Sequence, residues 1–203
     1  MGMVIGIDVN DVLRDYTGQF EYAFNKYVDE SFRLGDDEPS TFDFSVAFPF
    51  VTQKDYENFR YTDYPFELNG RADPVSQTVH ANLNRWINTD LDDTDERPEV
   101  IIFSALESQL TIQATLAYLS WNMCRVRELA FPVDSSKMWE RCDVIVTANP
   151  NILASKPDGK KSVKIEAPYN KDSEADFTFK DLESMMSDEN KSVLNIFNHD
   201  EEK

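Results

Sequence analysis

The chain has 203 residues, with 38 acidic and 20 basic side chains and a formal net charge of -18. That length suits one domain, or one domain with a small insertion. The charge argues against general nucleic-acid binding, because a phosphate backbone would be repelled, and no apolar run is long enough to suggest a membrane span.

The sequence opens on an apolar run, Val4, Ile5 and Ile7, that delivers Asp8 to a strand end. No basic region followed by an apolar one precedes it, so secretion through a leader is not expected. Residues 16–28 place apolar side chains at 16, 20, 23, 24, 27 and 28, a helical stripe. Residues 35–39 read as a loop. Residues 40–72 are irregular and rich in rings: Phe42, Phe44, Phe48, Phe50, Tyr56, Phe59, Tyr61, Tyr64 and Phe66. A short helix over 53–60 is expected inside that block. Asp73-Pro74 reads as a helix cap with proline at the first helical position. Val75, Val79, Leu83, Trp86 and Ile87 then share one face. His80 lies beside them and reads as a packed or surface residue rather than a ligand.

Residues 90–96 form an acidic connection, able at most to hold a cation loosely. Residues 99–103 are a second strand, ending at Ser104. Leu106, Leu110, Ala114, Ala117 and Trp121 mark the next helix. A third strand is expected over 125–131, a short helix over 137–141, a fourth strand over 143–146 and a last one over 162–167. Residues 177–186 read as a weak helix. The tail, 187–203, is polar apart from Val193, Leu194, Ile196 and Phe197, and is too polar to fold alone. Cys124 and Cys142 share no metal or redox spacing and read as reduced, partly buried thiols. Strands alternating with helices predict an α/β sheet, mostly parallel.

Four stretches carry chemistry when taken in order. They are Ile7-Asp8-Val9-Asn10-Asp11-Val12-Leu13-Arg14-Asp15, the strand ending at Ser104, Lys137, and Asp143-Val144-Ile145-Val146-Thr147-Ala148-Asn149-Pro150. Together they resemble the haloacid dehalogenase-like (HAD) phosphohydrolases. The end of the chain, from residues 156–160 to 168–170, resembles small 5'-nucleotidase-like members, a group often encoded by phages. The resemblance implies a Rossmann-like sheet over residues 1–186 and an aromatic insertion at about 30–72 in the cap position. It makes Asp8 the nucleophile and Ser104 and Lys137 the phosphate-binding catalytic positions. Asp8 and the Asn10 carbonyl become the ligands of a Mg²⁺ ion.

The departures matter chemically. Asn10 stands where the family has a second Asp, and Asp11 where it has Gly. Asn10 cannot exchange a proton, and losing such a group costs about 10²–10⁴-fold in rate. Thr147 and Ala148 replace the two acids of the fourth motif, so the metal loses a carboxylate. Asp11 or Asp143 could compensate, but Asp143 starts its strand, about 13 Å by strand rise from the far end. The residues favour a non-catalytic descendant without a cofactor, acting as a structural or interaction component of an assembly. Its setting would be the cytoplasm or a phage particle. Partner chains would contact Phe42, Phe44, Phe48, Phe50, Tyr61, Tyr64, Phe66 and Phe197. The alternatives are a Mg²⁺-dependent phosphatase or 5'-nucleotidase using Asp8, and a binder that holds a phosphorylated ligand over Asn10, Ser104 and Lys137.

Overall fold

A computed structural model describes residues 2–35, 39–90, 98–105 and 108–187. Six strands form one sheet: β1 (Val4–Asp8), β2 (Glu99–Phe103), β3 (Glu128–Ala130), β4 (Val144–Thr147), β5 (Lys161–Ile165) and β6 (Phe177–Phe179). Their order is β3-β2-β1-β4-β5-β6 and every pairing is parallel. The order reverses between β1 and β4. Ligands of open parallel sheets bind at the carboxyl ends of strands at such a reversal. β1 is central and buried, which its apolar run dictates. Gly6 is required there, since a Cβ would come 2.8 Å from the Cys142 Sγ.

The helices are α1 (Tyr16–Tyr27), α2 (Phe44–Ala47), α3 (Gln53–Asn58), α4 (Val79–Arg85), α5 (Gln109–Trp121), α6 (Pro150–Ala154) and α7 (Leu182–Met185). Asp15 caps α1 by accepting from the Gly18 N–H at 2.8 Å. Thr52 and Asp55 cap α3 reciprocally. One side of the sheet packs on Val79, Leu83 and Trp86, on Tyr118 and Leu119 of α5, and on Leu182 and Met185 of α7. The other side packs on Met138, Trp139 and Ile152.

A separate core lies above the carboxyl edge. Tyr16, Phe20, Ala23 and Phe24 of α1 meet Phe44, Phe48, Tyr56, Phe59 and Leu68 of the insertion. This corrects the expectation of an interaction surface. Phe44 and Phe48 are buried, and Phe50 and Tyr64 are partly buried against the same cluster. Phe42 packs on Tyr169 at 5.3 Å, and Tyr61 lies against Arg60. Of the named rings among the described residues, only Phe66 is well exposed, at 43%. The physical reason is that α1 offers one apolar stripe with no sheet beneath it, and the rings of the insertion cover it. Phe197 and the tail from 188 lie outside the described residues, as does most of the acidic connection.

Three further expectations change. No helix starts at Pro74; Val75 N–H bonds the Leu13 carbonyl, and α4 begins at Val79. The buried face of α5 is Thr111, Ala114, Thr115, Tyr118 and Leu119, while Leu110 and Trp121 face outward. Residues 177–186 are not one helix but a strand, β6, followed by α7. No helix among the described residues is long and apolar enough to cross a membrane.

Candidate functional site

Asp8 and Thr147 close β1 and β4, side by side at the reversal of strand order. The Thr147 hydroxyl donates to Asp8 Oδ2 at 2.8 Å, and its oxygen accepts from the Asn149 N–H at 2.9 Å. Asp8 is buried, and burial pushes its carboxyl up to about 7. The Thr147 hydroxyl, the N–H groups of Val9 and Asn10, and the charge of Arg14 pull it down, but less strongly.

Asn10 is not free to serve Asp8. Its Oδ1 accepts from Arg14 Nε at 2.6 Å. Arg14 is fully buried and also donates to the Asn69 carbonyl at 3.0 Å, Asn69 Oδ1 at 2.8 Å and Thr115 Oγ1 at 2.7 Å. This guanidinium fork ties the first loop to the insertion and to α5. Asp11 is in the left-handed region, φ 56°, which favours glycine. Both its oxygens are engaged: Thr17 donates through N–H and Oγ1 at 2.9 Å each, and the Tyr169 hydroxyl donates at 2.7 Å.

The side-chain oxygens around Asp8 are largely engaged in internal hydrogen bonds. Mg²⁺ demands near-octahedral oxygen donors, with carboxylates prominent among them. Asp8 Oδ2 is taken by Thr147, Asn10 Oδ1 by Arg14, and both Asp11 oxygens by Thr17 and Tyr169. Asp143 sits at the opposite sheet edge, bonded to the Val4 N–H and Lys160 Nζ. Among the described residues no three His, Cys, Asp or Glu side chains gather for a metal.

Above Asp8 lies a cavity of about 50 Å³, floored by Asp8, Asn10, Ala105 and Asn149 and roofed by Tyr16, Phe42, Phe44 and Arg60. Ser104 is buried beside Ala105, with its N–H on the Ala130 carbonyl, and Ser108 rather than Ser104 caps α5. Lys137 is not brought to the site. It is exposed and pairs with Glu140 at 2.8 Å. The cation that reaches the cavity is Arg60, which sequence reasoning missed. It is steadied by the Tyr56 hydroxyl at 2.8 Å and by the faces of Tyr16 and Tyr61. A lone arginine among tyrosines of an irregular block carries no sequence signal of its own.

No protein-family model matches the chain. No curated protein matches it either. Among solved structures it is similar to a haloacid dehalogenase-like hydrolase from Burkholderia xenovorans LB400. The identity is 14% and the TM-score 0.55, over 91% of this chain and 95% of that one. With the six-stranded parallel sheet, that likeness shows the fold: this chain has the haloacid dehalogenase-like α/β architecture.

Proposed function

We propose that this chain is a HAD-like domain that does not hydrolyse phosphoesters and acts as a structural or interaction component. The observation that carries the reading is the hydrogen bond from Arg14 to Asn10. The position that should shuttle a proton is an amide, and that amide is committed to a buried structural fork. Thr147 supports the same reading, because it holds Asp8 from the place where a metal-binding acid would sit. Exposed Val46, Val51 and Phe66 leave apolar surface on the insertion for a partner. The test is Mg²⁺-dependent hydrolysis of nucleoside monophosphates and an aryl phosphate. The expected result is no turnover above buffer. Turnover abolished by Asp8→Asn overturns the reading.

A second reading, a binder of a phosphorylated or similar small oxyanion, is favoured by one observation: Arg60 lines the cavity with Asn10 and Asn149. Calorimetric titration with inorganic phosphate checks it. A heat present in the native chain and lost in Arg60→Ala supports it, and no heat in the native chain rejects it.

A further inference from the structure

The exit of α5 differs from the rest of the surface of this acidic chain. From Trp121 to Leu129 every second residue is exposed: Trp121, Met123, Arg125, Arg127 and Leu129. Trp121 is 65% and Met123 69% exposed, large values for such side chains. Met123 holds a positive φ of 54°, and its N–H bonds the Ser120 carbonyl. Neither the Arg125 nor the Arg127 guanidinium has an ion pair or hydrogen bond among the described residues. In a chain of net charge -18, this strip is both apolar and basic.

The chemistry that complements it is an acidic segment with an apolar centre, and the chain carries one. Residues 188–203 place Val193, Leu194, Ile196 and Phe197 between Asp188 and Glu189 on one side and Asp200, Glu201 and Glu202 on the other. We propose that this C-terminal segment docks on the strip of its own chain. Its apolar residues would cover Trp121 and Met123, and its terminal acids would face Arg125 and Arg127.

The route is short. The segment follows α7, whose Glu183 accepts from Ser76, Thr78 and Asn82 and so fixes α7 to α4 and its approach. At its other end α4 holds the strip itself: Asn84 Nδ2 donates to the Met123 carbonyl at 2.9 Å, and Asn84 Oδ1 accepts from the Arg125 N–H at 2.8 Å. Along α4 the rise from Thr78 to Asn84 is about 9 Å. Residues 188–192 span up to about 17 Å when extended. The inference does not depend on how the Asp8 site is read.

Trp121 supplies the test, because Trp86 and Trp139 are buried. Acrylamide quenching of the full chain should find all three tryptophans protected. Phe197→Asp should make one tryptophan quenchable without changing the far-UV circular dichroism, and Trp121→Phe in that background should remove the quenchable emission. The double variant Arg125→Glu, Arg127→Glu should reproduce the release. Equal quenching in the native chain and both variants overturns the proposal. So does protection that appears only as protein concentration rises, which would make the occupant a second copy. Protection that requires an added partner protein overturns it as well.

Discussion

Asp11 shows how a motif departure is absorbed by one side chain. A left-handed backbone costs a non-glycine residue about 1–2 kcal/mol. Asp tolerates it better than most, and here three donors fix the carboxylate. His80 is the opposite case, a buried group left partly unsatisfied. The Tyr118 hydroxyl donates to the Leu13 carbonyl at 2.8 Å, so His80 Nε2 must carry the proton it shares with Tyr118 at 2.9 Å. Nδ1 is then a buried acceptor with no partner among the described residues. Burial pulls the imidazole down to about 4 from an ordinary value near 6.5. Between those values the unfolded chain binds a proton that the folded chain does not, so the stability contributed by neutral His80 is lost as pH falls through that window. Asp8 has the opposite sign, because its raised carboxyl favours the folded state at lower pH. Urea denaturation from pH 7 to pH 4 should therefore show native stability falling relative to His80→Gln, with Asp8 common to both. Parallel curves would mean that His80 is charged, or solvated, in the folded chain.

At the scale of elements, the insertion is held by rings. Phe20 is fully buried and meets Phe44 at 5.0 Å, Phe48 at 4.6 Å and Phe59 at 5.3 Å. Phe20→Ala should cost about 3–5 kcal/mol. Val51→Ala, at a site 93% exposed, should stay within about 0.5 kcal/mol. Thermal melts of the two variants decide whether the block is a core or a loose cover. β1 and β2 were legible because they are apolar runs, the first ending in Asp8 and the second followed directly by Ser104. The stripe of α5 was not. Thr111 and Thr115 occupy its buried face, and Thr115 is there to accept from Arg14. Apolar periodicity cannot find a helix face built around a polar bond. Residues 177–186 misled for a related reason. Phe177 and Phe179 alternate as a three-residue edge strand, too short to outweigh the helical spacing of Leu182, Met185 and Met186. At the site, Asp8, Asn10 and Thr147 were legible from motif order. Arg14 and Arg60 were not, since their roles depend on Asn69, Thr115 and Tyr56, each distant in sequence from the motifs.

At the scale of the whole molecule, strand order places the site and net charge sets the long-range electrostatics. The reversal of strand order sets Asp8 and Thr147 together, and Asp8 Oδ2, Asn10 Oδ1 and both Asp11 oxygens accept internal bonds. What remains conspicuous is charge. The ion pairs that offset it are mostly at the surface, such as Lys137 with Glu140 and Arg71 with Glu67. Surface pairs contribute roughly 0–1 kcal/mol each. The uncompensated excess is negative, and compaction brings those like charges closer than they are in the unfolded chain. At 0.1 M salt, interactions between exposed charges are largely screened beyond about 10 Å. Salt weakens the repulsion more than it weakens the buried fork of Arg14 or the bond between Thr147 and Asp8. The melting temperature should therefore rise as sodium chloride increases from 10 mM to 200 mM, roughly in the range where the screening length falls from 30 Å to under 10 Å. A fall over that range would mean that attractive pairs outweigh the net repulsion, and that the surface charges are arranged to bind one another.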